Sequence, residues 1–219
     1  MNSQSHSERV QQYFHAASVS WDEIYSFEGG PIYRWLNRRL RKGVYNRAER
    51  VLEVVAAERH SLHSFLDVGC GSGRIALQVA AMGIAVTGID FAANMIELAK
   101  ISAQRVHVQS ATFLLSNFMD HHFGGQAFDV SIAMGVLDYN ANGRAFITKL
   151  REVSSKLVMV TFPIKGTPRS YLRKVRLAIK GCPVYYYTRE EIEALYRDVG
   201  FSKFSVERMN NMYFVTALV

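Results

Sequence analysis

Two carboxylates and a run of glycines are the residues of this chain whose types and spacing could do chemistry. Asp67 stands two places before the segment Gly-Cys-Gly-Ser-Gly at 69–73, and Asp90 ends the next apolar run. Glycines at a strand-to-helix turn let backbone N–H groups approach a ligand closely, and a carboxylate after the following strand accepts hydrogen bonds from ribose hydroxyls. This arrangement predicts a site for an adenosine-bearing cofactor.

The positions of the glycines distinguish between cofactor classes. The dinucleotide fingerprint has glycines at its first, third and sixth positions, which seat a pyrophosphate on a helix N-terminus. Here Gly69, Gly71 and Gly73 hold the first, third and fifth positions, and Arg74 holds the sixth. The carboxylate of Asp67 would disfavour a pyrophosphate but could hold an ammonium group. A buried turn that needs glycine only for its positive φ is the structural alternative.

The pattern Asp-x-Gly-x-Gly-x-Gly at 67–73 resembles the first motif of class I S-adenosylmethionine-dependent methyltransferases. Nearly the whole chain is similar to small-molecule O-methyltransferases of the quinone-biosynthesis and magnesium-protoporphyrin type. The resemblance implies S-adenosylmethionine as cofactor, S-adenosylhomocysteine as its product, and no metal. The residues expected at the cofactor are Arg47, Asp67, Gly69, Cys70, Gly71, Gly73, Asp90, Phe91, Asn117, Phe118 and Met134.

Four members of this set rest on particular arguments. Asn117 stands where the family usually has an aspartate for the adenine amino group, and its amide oxygen can accept the same hydrogen bond less strongly. Phe118 either packs on the adenine face or belongs to the core. The backbone at Met134 matches a position that contacts the cofactor. Arg47 resembles the arginine near the cofactor carboxylate, although an arginine-rich helix can align one by chance.

No side chain is assigned as the catalytic base. His121 and His122 follow the third predicted strand, and imidazoles suit proton transfer near neutral pH. Loop histidines are more often only solvated, and Tyr25 and Tyr139 are equally open candidates. An acceptor that is already a carboxylate or phenolate needs no base.

The net charge of +7 is concentrated in two segments. The first covers 34–50 and the second 165–180, and together they hold thirteen of the twenty-six Lys and Arg residues. The rest of the chain is net acidic. Two local basic surfaces on an acidic body favour an anionic or amphiphilic small-molecule acceptor.

The second basic segment also has helical periodicity. On a projection of 169–180, one face carries basic residues and another carries apolar ones, namely Arg169, Arg173, Arg176 and Lys180 against Tyr171, Leu172, Val175 and Ile179. An ordinary surface helix with a solvated basic face is one interpretation. A substrate-side lid, or a peripheral membrane contact through 165–180, is the other.

From residue 64 onward, predicted strands and helices alternate, which is typical of a doubly wound α/β sheet. The predicted fold is a seven-stranded, mostly parallel, Rossmann-like methyltransferase fold with an N-terminal helical cover. Predicted strands are 64–68, 85–89, 111–115, 128–133, 156–162, 201–208 and 212–219. Predicted helices are 7–17, 31–58, 73–82, 92–104, 142–154 and 189–199. The last two strands are expected to pair antiparallel at the sheet edge.

The length of 219 residues suits a single domain. Within it we expect a helical cover at 1–60, a cofactor-binding core at 64–162, a basic and aromatic insertion at 163–187, and a last helix with an edge hairpin at 188–219. Cys70 and Cys182 form no disulfide framework or metal cluster, and no segment has a signal-peptide or transmembrane pattern. These features predict a cytoplasmic protein, with a peripheral membrane contact as an option.

The chain lacks the proline-rich turn that amino methyltransferases of nucleobases carry after the fourth strand, since 134–137 reads Met-Gly-Val-Leu. Methylation of a base amino group is therefore disfavoured, and O-methylation of a small molecule is the expected reaction. Two alternatives stay open: an RNA-modifying or RNA-binding protein that uses the basic surfaces, and a catalytically silent regulator that binds S-adenosylmethionine.

Overall fold

The computed structural model describes residues 42–179 and 181–219. Most of the predicted N-terminal cover, including the helix at 7–17 and the basic residues before position 42, lies outside the described residues. The same is true of Tyr25. The described part of the cover is one helix, α1, at Lys42–Glu58, which is followed by a short 3-10 turn at Arg59–Ser61.

One seven-stranded sheet forms the centre of the protein. Its strands are β1 Ser64–Val68, β2 Ala85–Asp90, β3 Ala111–Leu115, β4 Phe128–Ala133, β5 Ser154–Pro163, β6 Lys203–Met209 and β7 Met212–Leu218. The spatial order is β3-β2-β1-β4-β5-β7-β6. All pairings are parallel except those of β7, which runs antiparallel to both β5 and β6. The predicted fold class and edge hairpin are confirmed.

Five further helices connect the strands: α2 Arg74–Ala80, α3 Ala93–Arg105, α4 Gly143–Glu152, α5 Pro168–Ile179 and α6 Arg189–Val199. The prediction for α2 is two residues too long at its end, because Met82 and Gly83 donate to carbonyls three residues back and close a tight turn. Helix α4 also ends earlier than predicted, and β5 starts at Ser154. Helix α6 begins with a capping box, in which Thr188 and Glu191 are bonded reciprocally.

The sheet carries a hydrophobic core on each face. Successive side chains of a strand point to opposite faces, so Phe65 packs with α1, α2 and α3 whereas Leu66 packs with α4 and α6. Both side chains are fully buried. Among the described helices, none combines the length and the apolar character that a membrane span needs.

A third, smaller cluster joins the insertion to the sheet. Leu177 of α5, together with Cys182 and Val184, is buried against Phe91, which follows β2, and Tyr139, which follows β4. Helix α5 is therefore attached at the carboxyl ends of the parallel strands, where ligands bind in this type of fold.

Candidate functional site

The site lies where the chain changes direction across the sheet. Strand β1 sits between β2 and β4, and the chain passes from β1 to β2 on one side before it returns to β4 on the other. Loops that follow β1 and β4 therefore diverge and leave a crevice at the carboxyl ends of the strands. The glycine turn 69–73 follows β1 and forms one wall of this crevice.

The three glycines of the turn have different neighbours. All have positive φ, but a side-chain Cβ at Gly69 would lie 2.5 Å from Val136, and one at Gly73 would lie 2.8 Å from Phe113. The packing of the protein itself therefore excludes a side chain at these two positions. No atom lies within 4 Å of a Cβ placed on Gly71. Gly71 faces open space, so it is the position where a ligand can approach the backbone closely.

The N–H groups of the turn are largely used inside the protein. Gly69 and Cys70 donate to the carbonyl of Ile89, at 2.8 and 3.2 Å, and Gly71 donates to Asp90. The sulfur of Cys70 is buried and lies 3.0 Å from the place of a Cβ on Gly88. Hydrogen bonds therefore hold the turn against β2. Because these N–H groups are already bonded, a ligand would contact the open surface at Gly71 rather than a series of free backbone donors.

Asp90 holds two parts of the site together. Its Oδ2 accepts the Gly71 N–H at 2.9 Å, and its Oδ1 accepts the Ala92 N–H at 2.9 Å. The N-cap of α3 is Ala92, without a side-chain cap, so Asp90 links the glycine turn to the start of the helix instead of capping it. Burial raises the pKa of Asp90, and hydrogen bonds from Ala92 and Gly71 oppose that rise.

Asp67 is the more deeply buried carboxyl of the pair, with 3% of its surface exposed. Burial first, and the charge of Asp90 second, raise its pKa to about 7, against the opposing effects of the Ala76 N–H and the guanidinium of Arg47. The two buried carboxyl groups therefore lie close enough for their charges to interact, and a cation bound beside them would stabilise both in their charged form.

Arg47 reaches the same crevice from α1. Its Nη1 lies 2.5 Å from the place of a Cβ on Gly135, whose φ is 79°. Gly135 is the first residue after Met134, and its N–H donates to Thr161 Oγ1 at 2.8 Å. The alignment of Arg47 by sequence alone was loose. The structure places its guanidinium beside the loop after β4 and close enough to Asp67 to act on its charge.

Asn117 and Phe118, two of the predicted cofactor residues, both make contacts inside the protein. The Oδ1 of Asn117 accepts the Met119 N–H at 3.1 Å, and its Nδ2 donates to Asp120 at 2.7 Å. Both ends of this amide therefore serve its own turn. Phe118 is 5% exposed and packs with its ring centroid 5.0 Å from that of Phe146, in the core under α4. The packing alternative describes the position of Phe118.

Met134 and Phe91 border the crevice from two sides. Met134 is 8% exposed, and its side chain belongs to the core on the α1 side of the sheet. Phe91 follows Asp90 directly and packs half-buried in the third cluster. Its position connects the cofactor crevice with α5.

The candidate bases are held in different ways. The ring of His121 lies edge-on to that of Phe123, with centroids 4.6 Å apart, and its carbonyl accepts a hydrogen bond from Lys149 at 2.8 Å. His122 is exposed in the same loop. The hydroxyl of Tyr139 accepts a hydrogen bond from Arg173 at 3.0 Å. None of these contacts selects a catalytic base.

An ion pair that the sequence did not predict holds α5 over the site. Arg173 Nη1 lies 2.7 Å from Asp138 Oδ2, and Asp138 is 9% exposed. Burial alone would lower the pKa of Arg173, but the carboxylate beside it raises that pKa above its ordinary value. Arg173 therefore makes a partly buried contact, whereas Arg176 of the same predicted basic face is exposed. No sequence signal links residues 35 positions apart.

In the described part of the chain, no group of three or more His, Cys, Asp or Glu residues is arranged to hold a metal ion. Cys70 and Cys182 are both buried and unbridged.

Comparison with known proteins finds methyltransferases. Residues 59–163 match the model of a methyltransferase domain family. A ubiquinone biosynthesis O-methyltransferase of Rickettsia typhi is 27% identical over 164 residues, which cover 71% of this chain and 65% of that protein. A ubiquinone/menaquinone biosynthesis C-methyltransferase of Geotalea daltonii is 30% identical over 156 residues, 66% of this chain and 63% of that protein. The chain thus spans slightly less than two thirds of these relatives.

The fold has a counterpart among solved structures over nearly its whole length. The magnesium protoporphyrin IX methyltransferase of Synechocystis PCC 6803, solved with bound S-adenosylhomocysteine, superposes with a TM-score of 0.80 at 21% identity. The match covers 97% of this chain and 99% of that one, and at this identity it establishes the fold. Together with the domain model and the relatives, the fold supports an assignment to the class I S-adenosylmethionine-dependent methyltransferases.

Proposed function

We propose that this protein transfers the methyl group of S-adenosylmethionine to an oxygen of a small anionic or amphiphilic acceptor. The observation that carries the proposal is the convergence of Asp67, Asp90 and Arg47 around the open face of the glycine turn. The match to the methyltransferase domain model supports the reaction class, whereas the acceptor and the methylated atom are inferred.

The charges of the crevice fit the charges of this cofactor. The methionine end of S-adenosylmethionine carries an ammonium and a carboxylate, and its nucleoside end carries two ribose hydroxyls. The buried Asp67 carboxylate would hold the ammonium, and Arg47 would hold the carboxylate. Asp90 has lone pairs left beside its two backbone hydrogen bonds and would accept the ribose hydroxyls.

The chemical demand on the protein is modest. When bound, S-adenosylmethionine would supply a methyl group on a sulfonium for transfer to an acceptor oxygen, and the electrons of the broken carbon–sulfur bond would remain on sulfur. The residues of the chain then have to orient both partners and exclude water. An acceptor oxygen that is already ionised has no proton to lose, which suits a site where no base is assigned.

Three observations support a small acidic or amphiphilic acceptor. Arg47 of α1 lies beside the loop after β4, at the carboxyl edge of the sheet, whereas Lys165 after β5 is paired with Glu191 at 2.6 Å. The loop after β4 has no proline-rich turn. Relatives and structural neighbours are named for quinone and porphyrin substrates. The RNA-modifying alternative gains no support from the relatives reported above.

Methylation of carbon is the second candidate, because the Geotalea daltonii relative is named a C-methyltransferase. Incubation of the purified protein with S-adenosylmethionine labelled in its methyl group distinguishes the two. Acceptors would be phenolic and carboxylate-bearing aromatic compounds with apolar tails. We expect S-adenosylhomocysteine and a label on oxygen. A label on carbon would replace the O-methylation proposal, and cofactor binding without turnover of any acceptor would favour the silent regulator.

A further inference from the structure

Helix α5 is attached to the protein through one narrow face. Ser170 and Leu177 are 8% and 2% exposed, and Arg173 between them makes the ion pair with Asp138. These three positions recur at three- and four-residue steps, so they lie on one side of the helix. That side is held by the third cluster and by the ion pair.

The opposite side of α5 is apolar and faces solvent. Tyr171, Leu172, Val175 and Ile179 are 65%, 74%, 60% and 82% exposed. Helical spacing puts them in one stripe, directly across from the attached face. The other large apolar side chains that are exposed in the described residues are distributed over several elements. An apolar stripe of this kind marks an interaction surface.

The charges beside the stripe define its partner. Exposed Lys174 lies along one border, next to Tyr171, and exposed Arg176 lies along the other, next to Leu172. The helix contains no acidic residue. A partner must therefore combine an apolar interior with a negatively charged surface. Interfacial membrane helices have this pattern, with tyrosine at the headgroup level and cations at the phosphates.

We propose that α5 lies in the plane of an anionic lipid bilayer, with Tyr171, Leu172, Val175 and Ile179 between the headgroups. This surface goes beyond the methyl transfer proposed above and does not depend on it. Its attached face contacts Phe91 and Asp138, in the loops that follow β2 and β4. Docking through α5 would therefore hold the mouth of the cofactor crevice near the bilayer, where amphiphilic molecules reside.

Sedimentation with lipid vesicles tests the proposal. The full chain would be mixed with vesicles of phosphatidylcholine alone, or of phosphatidylcholine and phosphatidylglycerol in equal parts. We expect binding to the anionic vesicles, weakened by salt. Two double variants, Leu172→Ser/Ile179→Ser and Lys174→Glu/Arg176→Glu, should each lower the affinity roughly tenfold or more. All four changed side chains are exposed, so the fold should be retained, as circular dichroism would check.

Helix α3 provides matched controls, because it also carries exposed apolar and basic residues. Ile101→Ser/Val106→Ser and Lys100→Glu/Arg105→Glu change the same types of side chain away from α5, and both should bind vesicles like the wild type. Wild-type protein that stays in solution, or α5 variants that bind as well as the controls, would overturn the proposal. A dimer in sedimentation velocity that Leu172→Ser/Ile179→Ser dissociates would overturn it too, since a second copy would then occupy the stripe. Titration with S-adenosylmethionine without vesicles tests the proposed function separately.

Discussion

At the scale of single residues, Asp90 has two roles. It holds the backbone of the glycine turn through a hydrogen bond, and we propose that it also binds the ribose of the cofactor. Asp90→Asn removes the charge and one of the two accepting oxygens that hold Gly71 and Ala92. Because hydrogen bonds to a charged group are worth about 1.5–3 kcal/mol, we expect the affinity for S-adenosylmethionine to fall roughly 10- to 100-fold by calorimetry.

Asp129 offers the matched control for Asp90. Its carboxylate accepts the N–H groups of His63 and Ser64, at 2.7 and 3.2 Å, at the start of β1 and therefore away from the crevice. Asp129→Asn should lower the unfolding temperature without changing the affinity for the cofactor. Equal cofactor affinity in Asp90→Asn and the wild type would contradict the ribose assignment.

The buried carboxyl of Asp67 predicts a pH dependence of cofactor binding. Its pKa is raised to about 7, so it becomes neutral as the pH falls below that value and can no longer balance an ammonium. Roughly half of the groups are ionised at pH 7 and roughly a tenth at pH 6, so we expect the affinity to weaken about fivefold between these two pH values. Calorimetry of Asp67→Asn over the same range should show weak binding without this slope; a slope of the same size in the variant would contradict the role of Asp67.

Alanine substitutions at Gly71 and Gly125 distinguish the effect of backbone strain from the effect of blocked ligand access. Gly71 and Gly125 both have positive φ, 52° and 81°, and neither has an atom within 4 Å of an added Cβ. Alanine at either position should therefore destabilise the fold by about 1 kcal/mol through the backbone alone. Only Gly71→Ala should also weaken S-adenosylmethionine binding, because its methyl group would occupy the open face of the turn. Similar losses of affinity in both variants would show that Gly71 is needed only for the turn.

At the scale of elements, the ion pair between Arg173 and Asp138 connects α5 to the loop after β4. Arg173→Met keeps much of the side-chain volume but leaves the Asp138 carboxylate buried without its partner, a costly arrangement. We expect backbone hydrogen exchange in 168–187 to become roughly tenfold faster or more, while exchange in β1 and β4 stays unchanged. Adding Asp138→Asn should restore part of the protection, because it removes the unpaired charge. Unchanged exchange in Arg173→Met would mean that the third cluster alone holds the helix.

The order and type of the elements from residue 64 onward could be predicted because apolar strands alternate with capped amphipathic helices. Each signal is local, such as the capping box of Thr188 and Glu191. The orientation of α5 could not be predicted in this way. Periodicity identifies an apolar face and a basic face, but the apolar face of a surface helix usually packs inward. Here Tyr171 and Ile179 face solvent, and Arg173 lies on the attached side with 27% of its side chain exposed.

Only part of the candidate site could be predicted from the sequence, because only part of it is formed by residues that are close together in the chain. Asp67, the glycines and Asp90 form a short motif whose spacing sets its own geometry. Arg47 meets Gly135 only after the sheet has formed, and the amide of Asn117 is engaged by its own turn. Contacts between residues distant in sequence depend on how the whole chain packs, and no local pattern reports them.

At the scale of the whole molecule, the sheet brings three separate segments to one edge. Strands β1 and β2 supply the two carboxylates, and the loop after β4 lies beside the guanidinium of Arg47. Helix α5 packs against Phe91 at the same edge. This one edge therefore accounts for both the proposed cofactor site and the proposed membrane contact.

Calorimetric titration of the full chain with S-adenosylmethionine and S-adenosylhomocysteine, with NAD as the control ligand, tests the central claim most directly. We expect binding of the first two in the micromolar range and no binding of NAD, because the carboxylates of Asp67 and Asp90 oppose a pyrophosphate. Binding of NAD, or no heat from S-adenosylmethionine, would contradict the assignment of the crevice.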